Sequence, residues 1–205
     1  MVEIKHIQQI NDGFNWKCGA VCLEMIFNHY GIPCNQDDIW NAVQADRSTG
    51  PGQKFAFTYS LAQYAISRGL NCTIYKTDEN NWPNVLEELE QRSIPAILSV
   101  KEKKSGQSHF MIFVGKRDDQ FIFSDPNSSN ETDGYDYLEV ENMWSPHLEI
   151  DVTGFIYMIF EGNSIWGGCP YCQRNFPILA QNEAPLSMKI ICPYCDRLLF
   201  IAQEQ

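Results

Sequence analysis

Positive charge is scarce in this chain. Its 205 residues include 15 Lys and Arg against 26 Asp and Glu, a formal net charge of −11. A phosphate-binding surface draws its affinity from Lys and Arg, so this balance argues against nucleic acid as a partner. Long apolar runs are missing too: nothing approaches the roughly 18 uninterrupted apolar residues of a membrane span. The start, Met1-Val-Glu-Ile-Lys-His6, has an acid and no apolar run, so no secretory signal is expected. There is no low-complexity segment, no Gly-rich phosphate loop and no repeat beyond a duplicated Cys-Pro-Tyr-Cys. What the chain has in quantity is core material. Hydrophobic residues make up 44%, aromatics 13% and charged residues 20%, which excludes a disordered tail and fits an ordinary globular protein. At roughly 150 residues per domain, the length allows one full domain and a small appendage.

Eight cysteines would mean a disulfide framework in a short secreted protein, but this chain is long and no export signal is expected. Asn71, Asn127 and Asn130 head Asn-x-Ser/Thr triplets, which arise by chance and have no meaning in a cytosol. A reducing, cytoplasmic compartment is expected.

The charge is uneven along the chain. Residues 1–160 carry 12 basic and 22 acidic side chains, and residues 161–205 carry 3 and 4. The changeover falls at Glu161-Gly-Asn-Ser-Ile-Trp-Gly-Gly168, a Gly-rich stretch that reads as a linker. A first domain over 1–162 and a small unit over 163–205 are expected. The first opens with helical periodicity. Val21, Cys22, Met25, Ile26 and Tyr30 share a face over 18–30, and Gly31 supplies a stop. Further helices are expected over 36–45 behind Asn35, over 59–68 before Gly69, and from Trp82-Pro83. Then the period drops to two, and 95–100, 109–116, 120–124 and 153–160 read as strands. Helices followed by an antiparallel sheet indicate an α+β domain of two layers.

Cys18 begins the first helix, where unsatisfied N–H groups and the helix dipole favour thiolate over thiol, with Lys17 adding a cation. Cysteines are usually buried and structural. Cys22 fits that reading, one turn inside on the apolar stripe, and Cys34 and Cys72 have no context for chemistry. A catalytic thiol needs a base, and there are four histidines. His29 is eleven residues along the same helix, about 16 Å away. His6 and His147 sit in segments the pattern does not position. His109 opens one strand and Asp125 follows the next. If the hairpin between them centres near Arg117, they face each other across the strands, and a register slip of two still leaves them diagonal within about 8 Å. Alone, His109 reads as a hydrogen-bonded strand end and Asp125 as a turn residue before Pro126. With Cys18 they form nucleophile, base and orienting acid.

Gln8-Gln9, Asn15-Trp-Lys-Cys-Gly-Ala20, Ser108-His-Phe110, Val114-Gly115 and Ser124-Asp-Pro126 together resemble the papain-like peptidases that process bacteriocins by removing leader peptides, often after a double glycine. The start is also similar to stand-alone relatives named guanylyl-cyclase-like, although no nucleotide motif is present. The resemblance spans roughly residues 4–160. It implies Cys18 as nucleophile, His109 as general base and Asp125 as its partner. It also implies Gln9, with Gln8 as the alternative, as an oxyanion donor beside the Cys18 backbone. The Gln9-to-Cys18 gap is a few residues longer than usual in that family, and Ala20 stands where Pro is common. The implied activity is that of a cysteine peptidase or related amide or thioester hydrolase on a peptide or protein substrate, with acyl transfer to an amine as a variant chemistry. A catalytically inactive binding protein on the same fold is the competing class.

Cys169-Pro-Tyr-Cys172 and Cys192-Pro-Tyr-Cys195 make two Cys-x-x-Cys turns nineteen residues apart. Each aims two thiolates at one ion, and together they close a tetrahedral four-sulfur site. A zinc ribbon is expected, with strands near 176–178, 189–191 and 198–201 and iron as the competing metal. A dithiol redox motif would come as a single copy in a βαβ setting. A segment of about 40 residues is too small to hold a core unaided. The ribbon reads either as a structural lid or spacer or as a docking module for a protein partner. The Asp, Asn and Ser of 125–136 mimic a calcium loop, but Asn130 stands where Gly is needed and Asp136 where Glu is needed.

Overall fold

The computed structural model describes residues 1–10, 16–46, 54–102, 106–146, 154–160, 164–179 and 189–200. In chain order the elements are α1 (Cys18–His29), α2 (Gln36–Val43), β1 (Gln44–Asp46), β2 (Lys54–Ala56), α3 (Thr58–Ser67), β3 (Thr73–Lys76), α4 (Trp82–Gln91), β4 (Ala96–Lys101), β5 (Ser108–Arg117), β6 (Gln120–Ser124), β7 (Asp133–Tyr135), α5 (Tyr137–Trp144), β8 (Ile156–Ile159), β9 (Ser164–Gly168), β10 (Asn175–Leu179), β11 (Lys189–Ile191) and β12 (Leu198–Phe200). The ends of α1 and α3 follow the expected stops, while α2 stops at Val43 and Gln44–Asp46 is strand instead of the end of the expected 36–45 helix. Gly31 and Gly69 take φ of 71° and 85° just past α1 and α3, a backbone state glycine adopts without strain. The Asn35 side chain accepts from the Asp38 N–H at the start of α2.

Eight strands form one antiparallel sheet in the order β12-β11-β3-β8-β4-β5-β6-β7. Their side chains alternate between two cores. Ile97, Ile112, Ile122 and Met158 pack with α1, α2 and α3, while Leu98, Phe113, Phe123 and Tyr157 pack with α4 and α5. The sheet is therefore covered on both faces, and the two-layer expectation is corrected to three. The run Phe110-Met-Ile-Phe-Val114 is apolar at every position because neither face meets water.

Three local readings also change. From Ser164 onward the expected linker is strand β9, paired with β10, and a Cβ on Gly167 would strike the Ile178 side chain. Glycine there permits close packing between strands. Residues 161–163 lie outside those described. The β5–β6 hairpin turns at Asp118-Asp119 and pairs Arg117 with Gln120, and a bulge separates Phe113 from Gly115. Its register is Phe113↔Phe123 and Ile112↔Ser124, two residues from the one expected. Lys101 closes β4, and Lys103 and Lys104 lie outside the described residues.

The C-terminal unit joins the sheet. β11 pairs with β3 through Lys189↔Lys76, Ile190↔Tyr75 and Ile191↔Ile74. Thr73 Oγ1 donates to the Pro177 carbonyl at 3.0 Å, and Gln63 Nε2 donates to that of Pro193.

Candidate active site

Cys18 is the first residue of α1 and is 5% exposed. Gly19 lets the helix lie against the sheet: a Cβ there would come within 2.7 Å of Leu61 Cδ1 and 3.0 Å of Phe110 Cδ2. One turn on, Cys22 Sγ donates to the Phe110 carbonyl at 3.3 Å, tying α1 to β5 beside His109. Burial first, then the charges of Cys18 and Asp125, push the Cys22 thiol well up. Its structural reading holds. Lys17 does not stand free beside the thiol; its Nζ meets Asp37 Oδ1 at 3.0 Å.

The bulge does not separate His109 from Asp125. His109 Nε2 meets Asp125 Oδ1 at 2.7 Å, and the Asn127 N–H donates to that same oxygen at 2.8 Å. This Asx turn through Pro126 aims the carboxylate back over the start of β5, so a diagonal pair makes a direct bond. His109 is 3% exposed. Burial alone would lower its pKa. The Cys18 charge, hydrogen bonds to Asp125 and Cys18, and the Asp125 charge outweigh that and raise it to about 10. With Nε2 on Asp125, Nδ1 is left for Cys18. Burial works against the Asp125 carboxylate, yet the His109 contacts and the Asn127 N–H hold its pKa below the usual value.

The N-terminal segment runs past this group. The Gln9 N–H donates to the Pro126 carbonyl at 2.8 Å. Gln9 is half-buried, its Oε1 fully so, whereas Gln8 is exposed. His6 Nδ1 meets Ser124 Oγ at 3.0 Å and its Nε2 meets the Ser128 carbonyl at 3.2 Å, so His6 pins the segment to the end of β6. His29 meets the Glu3 carbonyl. His147 and Asn15 lie outside the described residues. Cys34 meets the Tyr64 hydroxyl at 3.6 Å, and burial raises the Cys72 thiol.

Residues 4–148 match the peptidase C39 family. The chain belongs to that family. It is a papain-like cysteine peptidase. The peptidase domain of Streptococcus ComA, a bifunctional transporter of a quorum-sensing pathway, superimposes with a TM-score of 0.57 at 18% identity, covering 77% of this chain and 98% of that one. A double glycine motif protease from an AMS/PCAT transporter, solved with its leader peptide, gives 0.55 at 17% identity, covering 78% and 91%. No curated protein matches in sequence. Among the described residues, no helix of this C39 chain is long and apolar enough to cross a membrane.

The four C-terminal cysteines also converge. The Sγ atoms of Cys169, Cys172, Cys192 and Cys195 lie within 4.8 Å of one another, with Cys169–Cys195 at 3.6 Å and Cys172–Cys192 at 3.8 Å. Tetrahedral bonds of about 2.3 Å give sulfur–sulfur edges of about 3.8 Å, so the set fits a single ion. The two turns mirror each other. The Cys169 N–H bonds the Arg174 carbonyl and the Cys192 N–H that of Arg197. Gln173 and Asp196 take φ of 60° and 56°. Arg174 covers the Tyr194 ring at 5.2 Å, and Arg197 covers Tyr171 at 5.6 Å. The repeat is thus Cys-Pro-Tyr-Cys-x-Arg, longer than the motif picked from the sequence.

Proposed function

We propose that Cys18, His109 and Asp125 perform peptide-bond hydrolysis, with Gln9 as oxyanion donor. The observation carrying this reading is buried His109, whose Nε2 lies 2.7 Å from Asp125 Oδ1 and whose Nδ1 is left for Cys18. The Cys18 thiolate attacks the scissile carbonyl carbon, and the oxyanion receives the Gln9 side-chain N–H and a backbone N–H at Cys18. The His109 imidazolium passes its proton to the departing amine. His109 then takes a proton from water as the water attacks the thioester, which releases the acid and restores Cys18. Asp125, fixed by Asn127, holds the ring tautomer throughout. The substrate is a peptide, the class implied by the leader-bound relative. Half-buried Gln9, with its Oε1 out of solvent, supports that donor over exposed Gln8. Cys18→Ser or His109→Ala should abolish cleavage of a susceptible peptide, and Asp125→Ala should slow it severalfold or more. Full turnover in Cys18→Ser would sink the assignment of Cys18, and no cleavage by the parent chain of any susceptible peptide would favour a binding protein.

The cysteine cluster is proposed as a structural zinc site within a 163–205 unit that completes the sheet edge. Cys169, Cys172, Cys192 and Cys195 leave no position open for chemistry. A thiol nucleophile and four thiolate ligands all require reduced sulfur, which supports a cytoplasmic setting. Docking a protein partner is the alternative reading of this unit, on which Trp166 and Tyr171 are exposed.

A further inference from the structure

Elements that carry the proposed reacting groups meet at His6 and Ile7. His6 is half-buried. The Ser128 carbonyl can only accept, so in the neutral ring the proton sits on Nε2, 3.2 Å away. Nδ1 is then an acceptor and takes the hydroxyl of fully buried Ser124 at 3.0 Å. The imidazole thus spans the turn that carries Asp125, from Ser124 before it to Ser128 after it. Ile7 continues the tie: its N–H donates to Met25 Sδ at 3.2 Å, on the helix that Cys18 begins. Ser124 Oγ lies 3.6 Å from that same sulfur. Further along the segment, the Gln9 N–H donates to the Pro126 carbonyl. Asp125 has its own holders in His109 and Asn127, so the part that depends on the imidazole is the segment carrying Gln9.

We propose that His6 is a positioning residue that holds Gln9 at the oxyanion by clamping its segment across the Asp125 turn. Both ring nitrogens are spent on Ser124 and Ser128, so the imidazole acts through Gln9 and not on the substrate. The proposal rests on the assignment of Cys18 as nucleophile and Gln9 as oxyanion donor.

Its test compares two reagents on the full chain, each timed at Cys18 by mass spectrometry. Iodoacetamide loses iodide to the thiolate without forming an oxyanion. With p-nitrophenyl acetate one forms: Cys18 Sγ adds to the acetyl carbon, the oxyanion collapses, and p-nitrophenolate departs to leave the thioester. His6→Phe keeps a buried ring and loses both bonds, whereas His6→Gln keeps an acceptor oxygen and a donor N–H at similar spacing. His6→Phe should slow acetylation about tenfold, part of the loss expected for removing Gln9 itself, and leave alkylation at the parent rate. His6→Gln should restore most of the acetylation rate. His6→Phe/Gln9→Ala should be no slower than Gln9→Ala, because a donor already removed cannot be misplaced. Parent-rate acetylation in His6→Phe, alkylation altered alongside acetylation, no rescue in His6→Gln, or losses that multiply in the double variant would overturn the role of His6 alone. Parent-rate acetylation in Gln9→Ala would overturn the oxyanion assignment with it. No acetylation of Cys18 in the parent chain would overturn the catalytic assignment as well.

Discussion

At the finest scale the proposed chemistry rests on Cys18, His109 and Asp125, with His109 held by Asp125 and Asp125 by the Asn127 N–H. Gly19 lets α1 approach Phe110, so Gly19→Ala should overpack that contact and cost about 1–3 kcal/mol in urea unfolding. Gln9→Ala should lower kcat by about 10²–10³ if its side chain donates to the oxyanion, while Gln8→Ala should change little. Comparable losses in both would remove the oxyanion assignment. The pH profile follows from two shifts. Because His109 is raised from its ordinary 6.5 to about 10, its contribution to stability is full below about 6.5 and drains away as pH rises to about 10. Because Asp125 is held below its ordinary 3.8, its contribution is full above that value and is lost as pH falls through the depressed one. Peptide turnover should fail on the alkaline side near pH 10, as His109 loses the proton it hands to the leaving amine. An alkaline limb near 6.5 would show that the ion pair does not form.

Elements explain what the sequence made legible and what it hid. Helices α1 to α4 were readable because each carries a punctuated apolar stripe. The His109–Asp125 pair was readable even with the register wrong by two, because a diagonal contact tolerates such a slip and the Asx turn at Asp125 completes it. The bulge at Phe113/Gly115 had no cue beyond a lone glycine inside an apolar strand. Helix α5 was not legible although Asp136 and Glu139 form its capping box, because Asp136 also closes an Asp-, Asn- and Ser-rich stretch that mimics a calcium loop. Asp136→Ala should destabilise α5 by about 1 kcal/mol, measurable as a lower urea midpoint. The Cys-Pro-Tyr-Cys turns were plain, but the arginine two residues beyond each was not, since its role depends on a fold that crosses the turns.

At the scale of the whole molecule, the sequence pattern separates a peptidase body from a metal unit, and the described structure joins them by β11 on β3. Ile190 lies in one core and Ile191 in the other, so the sheet edge depends on the C-terminal segment. A Cys172→Ser variant should lose metal and lower the melting temperature of the peptidase body as well. An unchanged body melt would mean that the edge strand is dispensable. All of these expectations hang on one thiol, and iodoacetamide labelling of the full chain, read cysteine by cysteine in mass spectrometry near neutral pH, tests it most directly. Cys18 should label far faster than Cys22, Cys34 and Cys72, and His109→Ala should slow Cys18 alone. Equal labelling of all four, or a Cys18 rate indifferent to His109, would contradict the assignment of Cys18 as the nucleophile.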